Sequence, residues 1–188
     1  IRDLRPAQRE YLTALHVISP ELAALPDGEV IRSRDDAMSV MLLEEDHYRL
    51  QYLTGGFAPE VTAIRPEFVY GASRSDFCLE TPRGPHLVEV KGVTLEENGN
   101  ALFPDAPTER GVKHIRELQR AAETGLDAVL FFVVQIRDIH SVAPNDVTHP
   151  AFGEALREAA AHGVRVLAYD CDVTPDSLKI RREVPVIL

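Results

Sequence analysis

The chain contains no tryptophan, two cysteines and three lysines, at positions 91, 113 and 179. Two cysteines, Cys78 and Cys171, cannot build a disulfide framework or a four-thiolate metal site. Both fall in apolar, strand-like stretches, which suits small buried thiols and a reducing, cytoplasmic setting. Neither Cys-x-x-Cys nor His-Glu-x-x-His occurs, and His86, His114, His140, His149 and His162 do not fall at zinc-ligand spacing. No apolar run reaches membrane-spanning length, since Ala128 to Val134 is only strand-sized. No basic-then-apolar leader is visible, which again leads to the expectation of a cytoplasmic protein. Phosphate-cradling glycine loops, dinucleotide fingerprints and Gly-x-Ser-x-Gly elbows are all lacking. Positive charge is also in short supply: 20 basic against 30 acidic residues give a net charge of −10. That argues against a nonspecific nucleic-acid binder working through a broad basic face. It leaves room for a site at which metal ions supply the positive charge.

What is present fits one domain, or one domain with a small addition, at 188 residues and 45% hydrophobic content. A boundary is expected near Leu53 to Gly56, dividing an N-terminal region, 1–54, from a larger domain, 55–188. The N-terminal region shows short helix and strand signals broken by the Pro26-Asp27-Gly28 turn. Beyond the boundary, Glu67 to Tyr70 reads as a first core strand. Phe77 to Leu79 and Leu87 to Val93 read as a hairpin around Thr81-Pro82-Arg83-Gly84-Pro85. A polar turn at Glu96 to Gly99 and a loop over Ala101 to Gly111 lead to a helix capped by Thr108. Its apolar stripe is Val112, Ile115, Leu118 and Ala122. Ala128 to Gln135 reads as a central strand buried on both faces. A polar loop, Asp138 to His149, precedes a helix opened by Pro150. Val164 to Tyr169 is a further strand, and Ile180 to Leu188 an edge element. The sum is an α/β fold, a mixed sheet flanked by helices.

The hairpin carries the chemistry. Alternate residues of a strand share a face. Val88 and Val90 therefore point one way, and Glu89 and Lys91 together the other. Asp76, at the open end of the first strand, lies across from them. Two carboxylates and an amine on one patch suit a divalent cation bound by hard oxygens, with a lysine beside the water it activates. In a chain with three lysines, one landing inside Glu-x-Lys is a poor candidate for surface filler. The bland alternatives are a turn-capping Asp76 and a solvated strand face for Glu89 and Lys91.

Asp76 with Glu89-Val90-Lys91 resembles the Asp…Glu-x-Lys signature of the PD-(D/E)XK nuclease superfamily. A longer ordered set surrounds it: Tyr70-Gly71-Ala72-Ser73-Arg74-Ser75-Asp76-Phe77, Val88 to Leu95, Ala101 to Gly111, Phe132-Val133-Val134-Gln135 and Pro185 to Leu188. Together these resemble the sugar fermentation stimulation protein family over about Gly55 to Leu188. The resemblance implies a PD-(D/E)XK (restriction-endonuclease-like) core, DNA binding and a role in sugar metabolism. It also implies an OB-like barrel before that core, yet the family's glycine-containing N-terminal motif is not found here. Residues 1–54 are thus expected to be an OB-like remnant or a helical replacement.

Asp76 and Glu89 are accordingly expected to hold Mg²⁺ or Mn²⁺ with the carbonyl of Val90, and Lys91 to position the attacking water. Glu60, after Pro59, is a further candidate metal contact, with a first-turn helix acid as the alternative. Arg74, Arg110, Lys113, His114 and Arg116 are candidate contacts for a phosphate backbone, which asks for charge rather than sequence. The alternative for the helical cations is a solvated face paired with Glu109 and Glu117. Gln135, closing the buried strand, is placed near the site, since ligands gather at the strand ends of such sheets. Two readings follow: a metal-dependent nuclease acting on DNA rather than RNA, or a DNA-binding regulatory module that keeps the fold without catalysis. A protein-interaction domain is a third.

Overall fold

The computed structural model describes residues 62–71, 73–174 and 177–188. The N-terminal region 1–54, with its OB-like or helical alternatives, lies outside the described residues, as does Glu60. Along the chain run β1 Ala63–Tyr70, β2 Ser73–Thr81, β3 Gly84–Val93, β4 Leu95–Glu97, β5 Asn100–Phe103, α1 Glu109–Glu123, β6 Asp127–Val134, β7 Ser141–Pro144, α2 Pro150–Ala161, β8 Arg165–Thr174 and β9 Ser177–Glu183. This is a mixed α/β fold.

Six strands form the main sheet in the order β1-β2-β3-β6-β8-β9. The hairpin makes β2 and β3 antiparallel, with Phe77 opposite Val88. The helical connections make β3, β6 and β8 parallel, as crossover connections require. β6 sits at the centre. Ala128 through Val134 are all buried, because alternate residues face two different apolar layers. Leu130, Phe132 and Val134 meet Ile115 and Leu118 of α1 and Phe152 and Leu156 of α2. Val129, Phe131 and Val133 join Phe77, Leu79, Val88, Val90 and Tyr169 in the second layer. Both described helices pack on the first layer.

α1 starts where Thr108 accepts a hydrogen bond from the Gly111 N–H at 3.0 Å. Gly111 is required there: a Cβ would stand 2.8 Å from Thr108 Cγ2 and 3.3 Å from Phe152. The Thr108 N–H in turn donates to His149 Nδ1 at 3.2 Å, joining the starts of the two helices. The helix stops at Gly125, whose φ of +89° suits glycine.

Two expected loops contain strands. Asn100–Phe103 pairs antiparallel with β4 and parallel with Ser141–Pro144, giving a second, three-stranded sheet. The reason is tertiary. Each strand is short and polar-flanked, but Ala101 and Val142 are fully buried against the helical layer. The closing segment also begins earlier than its apolar residues suggest, since β9 spans Ser177–Glu183 and pairs with β8. Cys78 and Cys171 are free and buried, in opposite layers of the sheet. Burial pushes both thiols up, Cys171 to about 12, so both are inert at neutral pH.

Candidate active site

Asp76 marks the place where the strand ladders open. The β2–β3 pairs end at Phe77↔Val88, so Asp76 falls next to Glu89 beyond the last pair. On the other side β1 and β2 pair at Pro66↔Phe77 and again at Phe68↔Ser75, skipping Glu67↔Asp76. Glu67 there has a φ of +50°, a left-handed backbone that few non-glycine residues adopt. Freed from the ladder, the Asp76 carboxylate takes a backbone donor for itself: Val90 N–H donates to its Oδ2 at 2.7 Å.

Glu89 is 2% exposed, on the middle of β3 opposite Leu130 of β6. It shares a face with Leu87 and Val93, while Val88 and Val90 face the second layer, as strand alternation requires. Lys91 Nζ donates to Glu89 Oε1 at 2.6 Å. His114 Nδ1, reaching across from α1, meets the same oxygen. The sheet and the helix thus bring Asp76, Glu89, Lys91 and His114 together.

Electrostatics separates the two acids. Burial and the charge of Glu89 push the Asp76 carboxyl above its ordinary value, against the Val90 N–H, Lys91 and His114. Burial pushes Glu89 the same way, but hydrogen bonds from His114 and Lys91 outweigh it and hold Glu89 below its ordinary value. Two carboxyls driven apart by their surroundings are a mark of a functional site.

A small cleft, open to solvent, reaches Glu89 past Tyr70, Arg74, Ser75, His114 and Glu117. Glu117 is half-hidden in its wall. Its Oε2 is buried without a hydrogen-bond partner, and its Oε1 lies 3.9 Å from Lys113 Nζ. Among the described residues, no three His, Cys, Asp or Glu side chains form a ready-made metal-binding group.

The expected phosphate contacts divide. Arg74 lines the cleft and is bound to Glu67 at 3.1 Å. His114 is inside the site rather than on its rim, and Arg110 Nε donates to its Nε2 at 3.4 Å. Lys113 lies beside Glu117. Arg116 corrects the expected grouping. Two residues on from His114, it faces the other side of α1 and pairs with Glu158 of α2 at 3.5 Å. Gln135 follows β6, its N–H donating to Val93 O at 2.8 Å, two residues beyond Lys91 on the neighbouring strand. Of Val90, it is the N–H that serves the site through Asp76. Glu117 was not a sequence candidate for the site; its spacing of three from His114, one helical turn, is the signal that points to it.

Known proteins share this framework. A family model described as the sugar fermentation stimulation protein RE domain matches residues 38–177. Another, described as the ATP:guanido phosphotransferase C-terminal catalytic domain, matches residues 1–64, nearly all of it outside the described residues. A sugar fermentation stimulation protein homolog of Desulfitobacterium hafniense strain Y51 is 52% identical over 129 residues, 69% of this chain and 57% of the relative. A homolog of that name from Clostridium perfringens strain 13 is 40% identical over 171 residues, 89% of this chain and 72% of the relative. The chain therefore spans little more than half the length of the Desulfitobacterium relative. Among solved structures, Pyrococcus furiosus SfsA in complex with Ca²⁺ is similar, with a TM-score of 0.64 and 29% identity, covering 75% of this chain and 65% of that one.

Proposed function

Because this chain belongs to the sugar fermentation stimulation protein family, we propose that its described domain is a PD-(D/E)XK nuclease-like core that hydrolyses phosphodiester bonds of DNA with Mg²⁺ or Mn²⁺. The observation that supports this best is the meeting of Asp76, Glu89 and Lys91 on one partly buried patch. The proposed setting is the cytoplasm.

The donor set fits such a cation. Asp76 uses Oδ2 for the Val90 N–H, and Glu89 uses Oε1 for Lys91 and His114. Oδ1 and Oε2 are left to meet a metal. Two carboxylate oxygens are few for Ca²⁺ but suit Mg²⁺, which keeps several waters and takes its remaining ligands from substrate phosphate. The raised Asp76 carboxyl adds to the case, since a cation relieves the repulsion behind part of that shift. The bound metal would polarise a phosphate oxygen and lower the pKa of its water. The chain's own groups do the rest. Lys91 Nζ orients the attacking water and offsets negative charge gathering on the phosphoryl oxygens. Asp76, braced by the Val90 N–H, keeps its carboxylate in place as β2 leaves the ladder. Arg74, at the cleft mouth, is placed to receive a phosphate of the strand. The Pyrococcus protein is described with Ca²⁺, a hard cation of the same preference for oxygen.

A melting experiment tests the reading. Millimolar Mn²⁺ or Mg²⁺ is expected to raise the melting temperature of the wild-type chain, and Glu89→Ala to abolish the rise. Absence of any metal-induced shift removes the enzymatic reading. One observation favours a non-catalytic DNA-binding module instead: Glu89 already has a lysine and a histidine on one oxygen. The two readings part at Lys91→Ala, which should leave salt-sensitive DNA affinity intact and eliminate cleavage.

A further inference from the structure

His114 stood among the expected phosphate contacts, but its two ring nitrogens are both already engaged. Nε2 faces Arg110 Nε at 3.4 Å, and Nδ1 faces Glu89 Oε1. A guanidinium is always protonated and can only donate. Nε2 must therefore accept, which places the ring proton on Nδ1, and Nδ1–H must donate to the Glu89 carboxylate. Arg110, one helical turn earlier, thus sets from outside the site which ring nitrogen is turned to Glu89 as a donor.

We propose that Arg110 and His114 are positioning residues that hold the Glu89 carboxylate in its cation-binding orientation. The inference rests on the metal-dependent reading above. The geometry gives it a specific form. Glu89 Oε1 is pinned from two directions, by Lys91 Nζ along the strand and by His114 Nδ1 across from α1, and Oε2 is thereby turned out as the ligand oxygen. Lys91 is anchored on the same strand as Glu89, two residues away. Among the described residues, His114 ties the carboxylate to a second element, and that element is fixed by the Thr108 cap and by Ile115 and Leu118 packed in the core with Phe152. Neither nitrogen of His114 is presented to a metal or a phosphate. Outer partners of this kind commonly change metal affinity 10- to 100-fold when removed.

The test measures Mn²⁺ binding directly, by the loss of free-ion electron paramagnetic resonance signal, on the full chain. Glu89→Ala is expected to eliminate the site. His114→Ala should weaken Mn²⁺ about 10-fold or more. His114→Asn, whose amide nitrogen can stand where Nδ1 stands, should recover most of that loss, and His114→Gln, whose nitrogen stands nearer Nε2, should not. Arg110→Ala should weaken binding to a lesser degree. A second readout needs no metal: ¹⁵N shifts of the wild-type imidazole should report Nδ1–H, and Arg110→Ala should mix the tautomers. If His114→Ala binds Mn²⁺ like wild type while Glu89→Ala does not, the positioning role falls and the metal reading stands. A wild-type Nε2–H tautomer also overturns the positioning role. Failure of the wild-type chain to bind Mn²⁺ overturns both.

Discussion

Two acids of the main sheet, Asp170 fully buried on β8 and Asp76 partly buried on β2, are treated in opposite ways. Asp170 lies in the middle of β8, opposite Val134 at the end of β6. Burial alone would raise its carboxyl, but Arg181 and Arg182 outweigh that and hold it below the ordinary aspartate value. Arg181 donates through Nε at 3.2 Å and Nη2 at 2.5 Å, and Arg182 through its backbone N–H at 3.2 Å and Nε at 3.1 Å. The same arginines reach Asp138 Oδ1 at 2.7 Å and Ile139 O at 3.0 Å, tying the turn after β6 to β9. Asp76 receives one backbone N–H and faces a second carboxylate, and its carboxyl is pushed up. A buried charge with every lone pair served is a fastener. A partly buried carboxyl left short of donors is poised to receive something. The comparison explains why so arginine-rich a network is no functional candidate, although it is the denser cluster.

The comparison can be broken at its stronger end first. Asp170→Ala leaves two guanidinium groups without their shared acceptor and should cost about 3–5 kcal/mol in chemical denaturation. A loss under about 1 kcal/mol would place it with exposed pairs instead. The pH dependence has a definite sign. A carboxyl held below its ordinary value stabilises the fold above that value, and the contribution disappears as pH falls through its folded value. Wild-type stability should therefore decline below about pH 4, and Asp170→Asn should flatten that part of the curve.

Gly111→Ala comes next, at about 1–2 kcal/mol, because the new Cβ meets the Thr108 cap. It should also weaken Mn²⁺ binding by displacing α1 and His114, whereas Asp170→Asn should leave Mn²⁺ affinity unchanged in the folded fraction. Asp76→Asn should act in the other direction. A carboxyl raised by folding stabilises only below its ordinary value, and that stability is lost as pH rises through its folded value. The asparagine variant should thus melt higher than wild type at neutral pH without metal, with no difference near pH 3, and should lose the metal response. An Asp76→Asn chain that melts lower at neutral pH would show that the acid is a fastener after all. The smallest effect belongs to the Arg65–Glu80 pair, whose side chains are 59% and 38% exposed. Arg65→Ala should cost less than about 1 kcal/mol, and a larger loss would erase the contrast between exposed and buried pairs.

Local signals carried much of the architecture. Alternation in Leu87 to Val93 fixed which residues share a face, and the structure puts Glu89 and Lys91 on the helical side. Thr108 capped the expected helix, and Ile115 and Leu118 are in its buried stripe. The unbroken Ala128 to Val134 is the central strand. The strands Asn100–Phe103 and Ser141–Pro144 were not legible. Each is four residues long, and their pairing joins segments about forty residues apart. A turn-rich stretch gives no local sign of such a partner. The helical cations illustrate the same limit. Spacing alone left Arg110, Lys113, His114 and Arg116 as one cationic surface, and packing sent His114 into the site and Arg116 to α2.

By itself, then, the order of residues determined the hairpin, the central strand, the two helices and the placing of Asp76, Glu89 and Lys91 along the chain, because periods of two and 3.6 are properties of neighbouring residues. The tertiary structure decided which of these groups share a proton, a charge or a hydrogen bond. His114 meets Glu89 across 25 positions and Arg181 meets Asp170 across 11. Such meetings depend on how strands and helices stack, and burial then sets how strongly each charge is felt.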